Sequence, residues 1–242
     1  MSKKLLTYEE AKRTIEQNFK RASLGQEEAV LLEAYNRVLS QDVASLLDIP
    51  GFNSSRISGY AVKSADTAVA TEEEPISLKV AGVVNVGETS KQTLNTGEAF
   101  EVAAGAVLPE GADAVIAIED AEREDDTLQV YGAAYVGDNL RKQGSDIKAG
   151  AIVLEKGQML GSSEIGVLAA LGLKQVPVLR IPMVTVFSIS SEVSELNKPL
   201  QPGKSFDLNG YSLSTAAMEC GAKPVYFGVV PEDKAAVSRM VI

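Results

Sequence analysis

Two apolar runs near the end of this 242-residue chain constrain its fold most. Residues 182–188, PMVTVFS, and 225–230, VYFGVV, are rich in β-branched and aromatic side chains and nearly free of polar ones. Such runs, without polar alternation, mark strands covered on both faces, as in a parallel sheet. A polar loop at 189–204 and a helical segment at 209–220, stopped by Gly221, separate them, and Pro231, Glu232 and Asp233 open another helix. The order strand–loop–helix–strand–helix begins a doubly wound α/β domain. Two parallel strands do not complete such a sheet, because both faces and both edges need cover. The expectation is therefore a C-terminally truncated piece of a longer protein, or a sheet completed by another chain.

The earlier part of the chain has a different character. Thr7 and Glu10 have capping-box spacing, and Ala11, Ile15 and Phe19 recur every four residues, which predicts a helix with one buried stripe. A second helix is expected over 28–39, with Val30, Leu31, Ala34 and Val38 inward and Arg37 as a solvated or structural cation. From Tyr60 onward short β-prone runs follow at 59–63, 76–86, 98–102, 114–118 and 128–131, separated by turn residues such as Asn85, Asn95 and Gly111. The acidic run 119–126 reads as a solvated hairpin tip. A helix at 163–171, with Ile165, Leu168 and Ala169 inward and Gly172 as its cap, returns the chain to helical character. Helical ends thus flank an inserted β-domain.

The chain has no histidine, which excludes Ser-His-Asp and Cys-His catalysis and histidine-ligated zinc. Its one cysteine, Cys220, excludes an intrachain disulfide and a cysteine metal cluster, and its apolar helical setting reads as a packed thiol. Any metal must take oxygen ligands, which suits Mg²⁺. A formal net charge of −10 argues against nucleic acid and anionic membranes. It leaves room for a small anionic substrate held by local Arg or Lys groups, backbone N–H groups or a metal. No apolar run is long enough to cross a membrane, and the first residues lack the apolar segment of a signal peptide, so the reading is cytoplasmic.

Residues 50–66, PGFNSSRISGYAVKSAD, join a Pro-Gly turn, small hydroxyl residues and a strand entry. Such a stretch is either a plain domain-crossing loop or a site built at a loop–strand junction. Other residues carry similar alternatives. Asp146 caps a turn after Gly144 or serves a site. Glu192 follows a parallel strand at the usual ligand position. Asp207 and Asn209 cap the following helix or bind a ligand. Arg141 and Lys142 hold phosphate or form a solvated turn.

Six segments, in order, resemble the molybdopterin molybdenumtransferase (MoeA-type) family, which includes the gephyrin E domain. Residues 33–39, EAYNRVL, are similar to EALGRVL, and 50–62 to PxFDNSAMDGYAV. Residues 105–115, GAVLPEGADAV, closely match GAPLPEGADAV, the most specific stretch. Residues 139–147, NLRKQGSDI, are similar to NVRxxGEDI, 166–172 to GLLASLG, and 202–209 to PGxxxDSN. The resemblance implies an α/β and β multidomain fold. An elongated helical domain (1–50 and 140–178) carries an inserted small β-domain (51–139), followed by the start of a doubly wound, molybdopterin-binding-like α/β domain (179–242). It also implies a homodimer with its active site between subunits, and, for the parent protein, insertion of molybdenum from molybdate into adenylylated molybdopterin with release of AMP; these 242 residues alone are expected to be inactive. On the matching positions it implies Asp146 and Glu192 as catalytic and Mg²⁺-binding carboxylates. Ser58, Arg141, Asp207 and Asn209 are then the cofactor-binding residues.

The departures from the pattern fall on chemistry. Ser58 stands for an aspartate, Ala104 for a threonine and Ser145 for a glutamate, and the Ser-Thr-Gly-Asp-Glu-Leu loop is replaced at 188–193 by SISSEV. A serine holds a divalent cation poorly. The alternative function is thus a catalytically degenerate member acting as a binding or scaffold protein.

Overall fold

The computed structural model describes residues 6–18 and 24–241. In chain order the elements are α1 (Tyr8–Asn18), β1 (Gln26–Val30), β2 (Val43–Ala44), β3 (Ser54–Ser55), β4 (Gly59–Val62), β5 (Ile76–Val84), β6 (Glu98–Val102), β7 (Ala114–Ala117), β8 (Ala121–Glu124), β9 (Thr127–Val130), β10 (Leu140–Arg141) and β11 (Ile152–Leu154). They continue with α2 (Ser162–Ala170), β12 (Gln175–Leu179), β13 (Met183–Ile189), β14 (Val193–Ser194), β15 (Ser205–Phe206), α3 (Leu208–Glu219), β16 (Lys223–Val230) and α4 (Lys234–Val241). No described helix is long and apolar enough to cross a membrane. The chain divides into two compact units. One is Asp42–Glu155 with Gly166–Leu173; the other takes the described residues up to Gln41, Lys156–Ile165 and those from Lys174 on.

The first unit is built on a six-stranded sheet of order β7-β4-β6-β5-β9-β8. The five β-prone runs seen in the sequence are its strands β4, β5, β6, β7 and β9. The sixth, β8, lies inside the acidic run, which is therefore a 3-10 turn (Ile118–Asp120) and a strand rather than a hairpin tip alone. Pairing of Ala121–Glu124 with β9 accounts for the difference. The outermost strands β7 and β8 are consecutive in the chain, joined only by Ile118–Asp120. Laid flat, six strands would hold them about 24 Å apart. A three-residue link spans at most about 14 Å. The sheet must therefore curl until its two edges approach.

Both faces of this sheet are packed. Tyr60 and Val62 join Leu78, Leu128 and Val130 on one side, while Ala61 between them joins Val84, Phe100 and Val115 on the other. All four residues of β4 and of β7 are buried. The flanking segments run back on each other, β3 against β10, β2 against β11, and Ile49 opposite Ile147. These ladders carry the unit beyond residues 51–139, to Asp42 and Glu155.

The second unit departs most from a helical reading. The helix expected over 28–39 is instead strand β1 and a 3-10 turn, Leu31–Ala34. The apolar spacing imitated a helix, but antiparallel pairing of Gln26–Val30 with distant β12 decides the conformation. Asn36 at φ 60° also stops any helix there. Of the expected inward residues only Ala34 is fully buried, and Val30 is exposed. Arg37 is a structural cation: it pairs with Glu27 at 2.5 Å and donates to the Leu179 carbonyl at 2.8 Å. The capping box of α1 forms as expected, with the Thr7 amide donating to Glu10 Oε2 at 2.9 Å and the Glu10 amide to Thr7 Oγ1 at 3.3 Å. Its stripe is not buried, since Ile15 is exposed, and Phe19 lies outside the described residues.

Helix α2 ends at Gly172 (φ 74°), whose amide donates to the Ala169 carbonyl. Leu168 is its buried residue; Ala169 is exposed, contrary to expectation, because the helix buries one narrow line.

Strands β13 and β16 pair in parallel, and α3 packs on both. This is the expected β–α–β unit, yet Met183, Val184 and Ile189 of β13 are exposed. A two-stranded sheet with one helix on it buries far less than the apolar sequence anticipates. Cys220 is exposed too, because it is the C-cap residue of α3 and lies past the helix's packed turns.

Candidate functional site

The C-terminal ends of parallel strands are where an α/β sheet opens a crevice for ligands. Here Ser190 and Ser191 follow β13, and Pro231 and Glu232 follow β16. All four line a cavity of about 540 Å³, together with Lys198 and Lys204. Lys198 is paired with Glu195 at 3.1 Å. Glu195 and Glu232 line it as well, so its two ammonium groups face two carboxylates, and Lys204 with the Ser190 and Ser191 hydroxyls is the part that suits a small oxyanion. Neither lysine stood out in the sequence, because each sits in an irregular loop with no spacing signal.

Glu192 is exposed next to this cavity. Its amide donates to Ser190 Oγ at 3.0 Å and its carbonyl accepts from the Ser205 amide at 3.0 Å. Short strands β14 and β15 then pair in parallel, Ser194 opposite Phe206, and the Asp207 amide donates to the Ser194 carbonyl. The backbone thus brings the Glu192 loop alongside Asp207 and Asn209.

Asp207 is turned inward and is only 4% exposed. It caps α3: Oδ1 accepts from the Gly210 amide at 2.9 Å. Oδ2 accepts from Ser188 Oγ at 2.7 Å and from the Tyr226 hydroxyl at 2.6 Å. Burial pushes this carboxyl up, but the bonds from Tyr226, Gly210 and Ser188 outweigh it and hold the group below its ordinary value. Burial and the adjoining carboxylate push the Tyr226 phenol up. Both Asp207 oxygens are therefore occupied by the fold itself. Asn209, in the first turn, is exposed.

The remaining sequence-derived residues, Asp146, Arg141 and Ser58, belong to the other unit. Arg141 forms an ion pair with Asp146 Oδ2, and Ser145 Oγ donates to Oδ1 at 2.9 Å. The Ser145 bond first, and Arg141 after it, hold the Asp146 carboxyl below its ordinary value. Its loop is stapled to residues 49–53: the Asp146 amide donates to the Ile49 carbonyl, Gly144 to Pro50, and Gln143 to Asn53 Oδ1 at 2.9 Å. Ser58 Oγ accepts from the Ala104 amide at 3.2 Å. Two positions that depart from the family pattern therefore contact each other.

Each carboxylate oxygen of Asp146 and Asp207 accepts at least one hydrogen bond from the fold. Among the described residues no group of three or more Asp, Glu, Cys or His side chains could hold a metal.

Comparison with known proteins gives a consistent picture. A family model described as the MoeA N-terminal region (domain I and II) matches residues 6–172. A molybdopterin molybdenumtransferase of Nostoc sp. is 34% identical over 211 residues, covering 87% of this chain and 48% of its own. The Bacillus subtilis molybdopterin molybdenumtransferase is 32% identical over 214 residues, covering 86% and 50%. The chain thus spans about half the length of the curated relatives it matches. A solved structure titled molybdopterin biosynthesis MoeA protein, from Pyrococcus horikoshii, superposes with a TM-score of 0.86 at 33% identity, over 98% of this chain and 63% of that one.

Proposed function

Because this chain belongs to the family of the MoeA N-terminal region, we propose that its protein works in molybdenum cofactor biosynthesis, inserting molybdenum from molybdate into adenylylated molybdopterin. The reaction hydrolyses the phosphoanhydride of the adenylylated pterin, water supplying the new P–O bond as AMP leaves, and the molybdate oxyanion is taken up. The observation that carries this reading is the cavity at the ends of β13 and β16, where Lys198, Lys204, Ser190 and Ser191 meet in a chain of net charge −10. Lys204 and the two hydroxyls offer a small anion a local foothold there, beside the Glu195 and Glu232 carboxylates that line the same cavity.

In this reading Glu192 and Asp146 are the carboxylates that move protons, and Ser58, Arg141 and Asn209 contact substrate. Asp207 holds α3 and the loop before it in place, since its own oxygens are occupied. The Mg²⁺ implied by the family resemblance finds no group of three His, Cys, Asp or Glu side chains among the described residues. We extend the proposal to a homodimer in the cytoplasm, on the strength of the same resemblance.

The test supplies adenylylated molybdopterin and molybdate to the full-length protein that contains this chain and follows AMP. Release that depends on molybdate supports the reading. A folded dimer that releases none overturns it and leaves the second reading, a binding or scaffold protein. The contact of Ser58 with the Ala104 amide favours that alternative, because a hydroxyl there replaces the family's carboxylate.

A further inference from the structure

The chain holds one Asn-Gly step, Asn209–Gly210, and the structure puts it in the first turn of α3. Asn-Gly is the step at which a backbone most readily closes on a side-chain amide, because glycine offers no Cβ to hinder the approach. The Gly210 nitrogen gives its proton to water and bonds to Asn209 Cγ. The Asn209 amide nitrogen takes a proton and leaves as ammonia. Water then opens the cyclic imide at either carbonyl, giving aspartate or isoaspartate. The sum is one water consumed and one ammonia released.

The fold both creates this hazard and restrains it. A side chain at Gly210 is impossible as packed, since a Cβ there would stand 2.4 Å from Asp207 Oδ2 and 2.5 Å from Tyr226 Cε2. Glycine is thus required directly after an exposed asparagine. Yet the nitrogen that must attack donates its proton to Asp207 Oδ1 at 2.9 Å. Removing that proton would break a charge-assisted bond and set an anion against a carboxylate. The helical turn also holds the backbone away from the ring-closing conformation.

We propose that Asn209 is a latent deamidation site kept shut by the Asp207 carboxylate. Opening of the first turn of α3 releases the Gly210 amide and lets the imide form. The product carries a new negative charge at the helix N-terminus, where the macrodipole favours it, and as isoaspartate also carries an extra backbone atom that disrupts the turn.

The experiment incubates the folded protein and a synthetic peptide of residues 204–214 in the same mildly alkaline buffer, with deamidation mapped by mass spectrometry and isoaspartate by enzymatic methylation. The folded protein is expected to react at least about tenfold more slowly, a difference of about 1.4 kcal/mol in barrier. Equal rates overturn the proposal. Asp207→Asn, checked for native circular dichroism, keeps an acceptor but loses the charge and is expected to speed the reaction several-fold. A folded variant with the wild-type rate assigns the protection to the helix alone and overturns the role of Asp207. Ser188→Ala removes a different partner of Asp207 and is expected to leave the rate unchanged. Should Asp207→Asn not fold, hydrogen exchange at the Gly210 amide of the wild-type protein decides: strong protection supports the proposal, and peptide-like exchange overturns it.

Discussion

The Tyr226 hydroxyl donates to Asp207 Oδ2 at 2.6 Å, joining the second parallel strand to the residue that caps α3. Ser188 reaches the same oxygen from the first parallel strand at 2.7 Å. One carboxylate therefore fastens the helix N-terminus to both strands it packs on. The Tyr226 ring also lies against Tyr211 of α3, with centroids 4.9 Å apart and planes at 47°.

Tyr226→Phe keeps the ring and removes the donor. A hydrogen bond to a charged group is worth about 1.5–3 kcal/mol. The variant is expected to lose stability in that range, read from urea denaturation with an unchanged m-value. A loss below a few tenths would mean that Ser188 and Gly210 satisfy Asp207 alone.

Acid should loosen the same element. The folded Asp207 carboxyl lies below its ordinary value of 3.8, so its contribution to stability is fully present above that value. It is lost as pH falls through the lower folded value, because protonation removes the acceptor charge that the three donors address. The wild-type protein is expected to lose stability more steeply below pH of about 4 than Asp207→Asn, whose acid limb should be flatter. Parallel limbs in urea titrations would count against Asp207 as the titrating group.

Gly59 is fixed by proximity. A Cβ there would stand 2.0 Å from the Ile116 carbonyl oxygen in the β4–β7 ladder. Gly59→Ala is expected to cost about 3 kcal/mol, through strand separation rather than propensity. Gly132→Ala, with nothing within 4 Å of the added carbon, serves as its near-neutral comparison. Thermal denaturation distinguishes the two.

Lys204 lines the cavity at the strand ends. Lys204→Ala is expected to weaken molybdate binding about fivefold, near 1 kcal/mol, and to reduce its salt dependence. Calorimetric titration measures this, with Lys79→Ala in the other unit as the control that leaves binding unchanged.

What the sequence disclosed follows the reach of each interaction. The Thr7–Glu10 capping box and the Asp207 cap were legible because donor and acceptor lie three residues apart. Strands β4, β5, β6, β7 and β9 were legible because turn residues frame them. The stretch after Glu28 was misread because Val30, Leu31, Ala34 and Val38 mimic a helical face, while its partner, Gln175–Leu179, lies far along the chain. Glu192 and Asp207 stood out in the sequence by position, one after a strand and one before a helix. That Tyr226 and Ser188 would claim Asp207 did not stand out, since the parallel register of β13 and β16 sets that contact. Lys198 and Lys204 are brought to the strand ends by irregular loops that carry no periodicity.

The outer edge of the six-stranded sheet has a consequence for solubility. Strand β7 reads AVIA, is uncharged and fully buried, and is outermost in the strand order. An open apolar edge of that kind is a template on which other chains add and aggregate. Here the Val115 amide donates to the Asp138 carbonyl at 3.0 Å, and the Val115 carbonyl accepts from Asn139 Nδ2 at 2.8 Å. The chain has thus laid its own polar segment along the edge a stranger would need. Loss of the Asn139 side chain would show first as turbidity, before any loss of chemistry.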